Sequence, residues 1–220
     1  MANVTKWSNV AIAMQSVLAA AKTITAITKA APGVVTSAAH GHANGDYVYL
    51  TINGMHQLNG RVFRVCNVAT DTFQLEGVSG GTGTDTSAFD TFSSGTAEKI
   101  TFGTSITTAV DMNVSGGNFA MIDTTTIHAN QRSEVPGLPD GMKFEFNNIW
   151  DPADAGQAAM KAASDAQSKR AFKYTFGTGG KIMVFAGYVG FSGAPAGNAQ
   201  DKVTSQAVVT AEGTPSYYAS

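Results

Sequence analysis

Asn44-Gly45-Asp46-Tyr47-Val48-Tyr49-Leu50-Thr51-Ile52-Asn53-Gly54 reads as one β-strand held between two tight turns. Val48, Leu50 and Ile52 point one way and Tyr47, Tyr49 and Thr51 the other, the two-residue period of a half-buried strand. Asn-Gly accepts the positive φ of hairpin turns, and a third pair, Asn59-Gly60, follows at once. Further on, Phe63 and Val65 alternate with Arg64 and Cys66, and Phe73 and Leu75 with Gln74 and Glu76. Four or five such strands predict a small antiparallel barrel or sandwich over residues 22–97. The end of that region, residues 77–97, is rich in Gly, Ser, Thr and Asp and reads as a flexible exit linker.

Residues 1–21 fit two patterns. Trp7, Val10, Met14, Val17 and Ala21 lie on a helical face, whereas Val10, Ile12 and Met14 alternate with Asn9, Ala11 and Ala13 as a strand would. Residues 98–220 form a second β region, with strand candidates at 99–102, 118–122, 142–146, 172–176, 182–188 and 203–210. One helix interrupts it, at about 152–170. Asp151 is a good N-cap, Pro152 suits the first helical position, and Asp154 adds negative charge to the first turn. Lys169 and Arg170 stand at the expected end. Ala155, Ala158, Ala159, Ala162, Ala163 and Ala166 make an alanine stripe that predicts a helix lying flat on a sheet. Residues 177–180 turn one strand back onto the next.

Of 220 residues, 43% are apolar, enough for a sizeable core, but only 14% are charged, against a usual value of roughly 25%. A surface so short of charge is either rich in Thr, Ser and Gly or covered by other subunits. The net charge of −2 argues against a binder that works by neutralising nucleic-acid phosphates. The single cysteine, Cys66, forbids an internal disulfide and any Cys-based zinc site. No apolar run reaches the roughly 18–20 residues of a membrane span, and residues 10–21 lack a basic front, so a soluble, cytoplasmically made chain without membrane insertion is expected.

Candidate chemistry is sparse. Gly177-Thr178-Gly179-Gly180-Lys181 lacks the spacing and the following helix of a phosphate loop. His40, His42 and Asp46, with His56, fall in a Gly-Asn turn without a second ligand pair, so they read as turn residues. His128 stands alone near Asp123. No Ser occupies a nucleophile elbow, and Cys66 sits inside a predicted strand as a structural thiol. No catalytic residue, cofactor-binding residue or metal ligand is expected, and the chain does not read as an enzyme.

The order of features in residues 98–220 resembles the tail tube (major tail) proteins of phages with long non-contractile tails. The resemblance rests on a strand pair, a long polar loop holding Ser133-Glu134-Val135-Pro136-Gly137-Leu138-Pro139-Asp140-Gly141, and then Lys143-Phe144-Glu145-Phe146. Trp150-Asp151-Pro152, the alanine-rich helix, two further strands and a closing strand before Gly213-Thr214-Pro215-Ser216 complete it. The middle region resembles a small β-module named after the first catalytic-cysteine half-domain of ubiquitin-activating enzymes. The matching residues include Ile24-Thr25-Ala26-Ile27-Thr28, Pro32-Gly33-Val34-Val35-Thr36, Asn44-Gly45-Asp46 and Leu58-Asn59-Gly60-Arg61-Val62-Phe63. No ubiquitin chemistry is implied.

These resemblances imply a mainly β protein. Residues 1–21 would supply an arm or strand of the tube domain, 22–97 an inserted barrel, and 98–220 a β-sandwich with one flanking helix. They further imply six-fold rings stacked into a hollow tube, with sheet edges pairing between neighbours, and a place in the virion tail. The partners would be copies of the chain itself, terminator and distal tail proteins, and double-stranded DNA in transit. The long loop, with Asp123, His128, Arg132, Glu134, Pro136 and Asp140, would reach the adjacent ring. A different reading of the same residues is a cell-surface or carbohydrate-binding adhesin, with Tyr47 and Tyr49 as a sugar platform.

Overall fold

The computed structural model describes residues 8–78, 80–177 and 180–219. Trp7, and the tip of the turn at 178–179, lie outside the described residues. Strand β1 (Val10–Leu18) leads into β2 (Lys22–Ile24), β3 (Ala26–Ile27), β4 (Val35–Thr36), β5 (Tyr47–Asn53), β6 (Val62–Cys66) and β7 (Thr72–Leu75). The 13-residue β8 (Ser94–Ile106) follows. Then come β9 (Ala109–Ser115), β10 (Phe119–Asp123), β11 (Glu134–Pro139) and β12 (Lys143–Ile149). Helix α1 (Ala155–Asp165) precedes β13 (Lys169–Phe176), β14 (Ile182–Phe191), β15 (Thr204–Ala211) and β16 (Ser216–Tyr218).

Fourteen of these strands form one antiparallel sheet in the order β3-β4-β7-β6-β5-β8-β1-β13-β14-β15-β12-β9, with β2 added to β8 and β16 to β14; β10 and β11 pair only with each other. The strand alternative for the N-terminus prevails because β1 lies between β8 and β13 and hydrogen-bonds to both, which a helix could not do. Ile12 and Met14 point into the core. A register shift at Gln15 turns that side chain inward as well, where its carbonyl accepts a hydrogen bond from the Ala171 amide at 3.0 Å.

Strand β8 belongs to two structures at once. Its first half pairs with β5, from Asn53↔Ser94 to Tyr47↔Ile100, and with β2 on the other side; its second half pairs with β1. Only Thr25 separates β2 from β3, so the path β2-β8-β5-β6-β7-β4-β3 closes into a small barrel around Leu50, Met55, Leu58, Val65 and Phe73. The remaining strands curl around a second core. There Phe144 stacks on Phe185 at 4.0 Å between centroids, and Tyr174 and Phe172 lie on either side. This is the mainly β, one-helix architecture that the alternation and turn signals predict.

Residues 77–97 are not a flexible linker. Thr86 is buried and donates its hydroxyl to the Thr28 carbonyl at 2.6 Å, Gly83 bridges to Glu76, Phe89 and Phe92 pack on the barrel core, and 94–97 are strand. The small polar residues that read as slack are used here as specific hydrogen-bonding groups.

The helix also differs from its sequence reading. Asp151 and Pro152 do not cap it. They form a turn closed by Asp154 N–H to the Asp151 carbonyl, with Pro152 in the second position that its fixed φ favours. The cap is Asp154, whose carboxylate accepts from the Gln157 amide at 2.9 Å. The end comes at Asp165, so Lys169 and Arg170 belong to β13. The buried face carries Gly156, Gln157, Met160 and Ala163, whereas Ala155, Ala158, Ala162 and Ala166 face outward. Gly156 permits the approach: a Cβ there would stand 2.7 Å from the Ser105 carbonyl oxygen.

Candidate functional site

Strand β9 ends the large sheet. It hydrogen-bonds to β12 and has no strand on its other side among the described residues. Register aligns the outward side chains of four strands into rows: Asp111–Asn147–Gln206, Asn113–Glu145–Val208–Gly190, and Ser115–Lys143–Thr210–Tyr188. The opposite face of the same strands holds Phe144, Phe146, Ala207, Val209 and Val189 in the core. The outward face is therefore polar and rich in amides and hydroxyls, with carboxylates at Asp111 and Glu145 against one lysine, Lys143. Asn147 donates to the Asp111 carboxylate at 2.9 Å.

The margin of β9 is also apolar underneath. Val110 and Val114 are exposed, and a groove of about 280 Å³ runs between Val10 and Ile12 of β1 and residues 109–112. A sheet margin with unpaired backbone groups and exposed valines is a template for another strand.

The second surface is the arm formed by β10 and β11. Residues 133–141 are not all loop: Glu134–Pro139 is a strand paired with β10, and a two-stranded ribbon tolerates the N–H groups missing at Pro136 and Pro139. Every residue of β10 is exposed. Arg132 brings Asp123 and Glu134 together, at 3.3 and 2.7 Å. Thr125 donates to Asp123 through its hydroxyl and amide and holds that carboxyl below its ordinary range. His128 is in the tip, Pro136 faces Met121 across the ribbon, and Asp140 closes the base through backbone bonds to Gly117 and Asn118. The six expected loop residues thus spread along the arm; only Asp123, Arg132 and Glu134 meet. The polar reading missed its apolar content. Phe119, Met121, Ile122 and Val135 are at least half exposed, Leu138 is 85% exposed and Ile127 96%.

The tyrosines do not form an open platform. Tyr47 and Tyr49 turn toward β13, β14 and β16, where Tyr49 donates to Glu212 at 2.7 Å and accepts from Lys169 at 2.9 Å. Burial works against the Lys169 charge, but bonds to Glu212 and Tyr49 outweigh it and hold the ammonium above its usual range. Arg64, paired with Glu76, lies over the Tyr218 ring, and Tyr218 Oη accepts from the Arg64 amide at 2.8 Å.

His40 and His42 are buried side chains rather than the turn residues expected. Their rings stack at 5.1 Å and both meet Phe73. Asp46 pairs with Lys99, and His56 with Asp90. Cys66 is buried, which pushes its thiol up.

Residues 53–220, well over half of the chain, match a family model described as phage tail tube protein, TTP. The match begins at the last residue of β5 and runs through the barrel's remaining strands into the large sheet. No curated protein matches the chain.

Proposed function

Because the chain belongs to the phage tail tube protein family and so has a structural role in the tail, we propose that its copies join through β9 into closed rings that stack into a DNA conduit. The observation that carries this reading is the unpaired β9 margin beside a polar four-strand face. A neighbour's strand would pair with the strand-free side of β9, taking over from Asn113 Oδ1 at the Val114 amide, and cover Val110 and Val114. Repetition of that one contact closes a ring, six-fold in the related tubes, and turns the outward faces of β9, β12 and β15 into a continuous wall.

Such a wall suits a channel for duplex DNA. Amides and hydroxyls hydrate the lining, and Asp111 and Glu145 oppose adhesion of phosphate, whereas a basic lining would hold the duplex by counterion release. The barrel of residues 22–97 packs on the outward side of β13 and β14, against Ala171, Val184 and Ala186, so it borders the polar face at its Tyr188 end and leaves the β9 margin open. We assign 98–220 to the tube body, together with strand Val10–Leu18 of the N-terminal segment, which lies between β8 and β13. Terminator and distal tail proteins would complete the two end rings. The adhesin alternative loses its motivating residues, since Tyr47 and Tyr49 are engaged within the chain.

Electron microscopy of the concentrated protein is expected to show rings or tubes, and gold-labelled antibody should decorate the tail shaft of intact virions. Absence from the tail refutes the reading. Virions carrying Asp111→Lys with Glu145→Lys should release DNA more slowly at low salt, with the deficit shrinking as salt rises. Unchanged release at low salt removes this face from the channel.

A further inference from the structure

The barrel contains three Asn-Gly pairs, and the fold treats them differently. At Asn44-Gly45 the Gly45 amide donates to the Val65 carbonyl at 2.8 Å, and Asn44 Oδ1 accepts from the Val68 amide at 3.0 Å. At Asn59-Gly60 the Gly60 amide donates to the Leu50 carbonyl at 3.0 Å, Asn59 Oδ1 accepts from the Ile52 amide at 2.9 Å, and Gly60 is buried. Asn53-Gly54 has neither lock. Both residues are exposed, and among the described residues neither the Gly54 amide nor Asn53 Oδ1 has a hydrogen-bond partner. The Asn53 side chain is held through Nδ2, which donates to Ser94 Oγ at 3.1 Å.

We propose that Asn53 is a site of spontaneous deamidation, a covalent modification that the other two pairs are folded to resist. The Gly54 nitrogen, giving its proton to water or hydroxide, attacks the side-chain carbonyl carbon of Asn53. That C–N bond forms, the bond to Nδ2 breaks, ammonia leaves and a cyclic imide remains. Water then opens the ring at either carbonyl, giving aspartate or an isoaspartate whose main chain runs through the side-chain carbon. The balance is one amide and one water consumed, one carboxylate and one ammonium formed. Glycine favours the step because no Cβ shields its nitrogen. Glycine is also obligatory here: Gly54 has a φ of 87°, and a Cβ would stand 2.3 Å from the Thr91 carbonyl oxygen. The turn therefore requires the residue that promotes ring closure. Position helps as well. Asn53 ends β5, and swinging Gly54 toward its side chain gives up the terminal bond from the Ser93 amide to the Asn53 carbonyl, at 3.0 Å. Ring closure at Asn44 or Asn59 gives up both of the bonds that lock each pair. The pairing Asn53↔Ser94 is the end of the β5–β8 ladder remote from Tyr47↔Ile100, so the new carboxylate adds to the net charge of −2 well away from the Tyr49–Lys169 contact. The protein thus acquires a mark of its age at the far end of the barrel.

The test ages full-length protein at mildly alkaline pH in heavy-oxygen water, once folded and once in concentrated urea, and locates the label residue by residue by fragmentation mass spectrometry. In the folded protein Asn53 should convert first, as a mixture of aspartate and isoaspartate carrying one heavy oxygen. Asn44 and Asn59 should lag, relative to their own rates in urea, by roughly tenfold or more. Asn53→Gln, at an exposed position, should keep the fold and lose this conversion. Equal rates at the three pairs of the folded chain, Asn44 or Asn59 ahead of Asn53, or a folded chain that stays unlabelled while the unfolded one converts overturns the proposal.

Discussion

Lowering the pH from 7 to 4 should remove up to about 3 kcal/mol of stability through one side chain, His42. Its ring is 7% exposed and neither ring nitrogen has a hydrogen-bond partner. Burial lowers its pKa from 6.5 to about 4. His40 adds to the fall, Asp46 opposes it, and Lys99 and Lys22 reinforce it. The folded value lies below the unfolded one. Between pH 6.5 and 4 the unfolded chain therefore takes up a proton that the folded chain refuses, and stability drains across that window and levels off below it. A gap of about 2.5 units at about 1.4 kcal/mol per unit sets the size. Carboxylates titrate near the lower end too, so the measurement is a difference: urea unfolding of the wild type and of His42→Leu at pH 7, 5.5 and 4. The leucine variant should lose distinctly less stability over the window, and at pH 7 it also discards two unpaired buried nitrogens. Parallel pH curves for the two proteins would refute the reasoning.

The Arg64–Glu76 pair should show the opposite titration. Burial alone would raise the Glu76 carboxyl, but Arg64 and the Gly81 amide hold it below the ordinary range. Its stabilisation is therefore present above the unfolded pKa and is lost as pH falls through the lower folded value. Glu76→Ala strands Arg64 and should cost about 3–5 kcal/mol in denaturant unfolding at pH 7; replacing both residues by apolar ones of similar size should cost much less. Gly156→Val drives a side chain into the Ser105 carbonyl and should cost about 1–3 kcal/mol by thermal unfolding. Ala162→Ser on the exposed side should stay within about 0.5 kcal/mol.

What the sequence disclosed and what it hid follow from range. The Asn-Gly pairs and the alternation around Tyr47–Asn53 are local signals, and they place β5, β6 and β7 correctly because each turn residue acts on its own backbone. The edge β9 was invisible: Ala109–Ser115 shows no clean alternation, since one flank of the strand is not covered within the chain. Thr86 carried no signal either, because its burial depends on Thr28 and Ala30, far away in sequence. Asp151-Pro152 misled for a different reason. Proline fits a turn's second position as well as a helix's first, and only the Asp154 cap decides between them. At the arm, Thr and Ser masked Phe119, Ile122, Ile127 and Leu138, and no periodicity announces an apolar residue that has nothing in its own chain to touch.

Strand β8 has a mechanical consequence. Thirteen residues run from the heart of the small barrel into the wall of the large sheet without a joint. A load applied to the barrel reaches that wall as shear along hydrogen-bonded ladders on both flanks rather than as the swing of a hinge. Whatever grips the barrel therefore pulls directly on the large sheet.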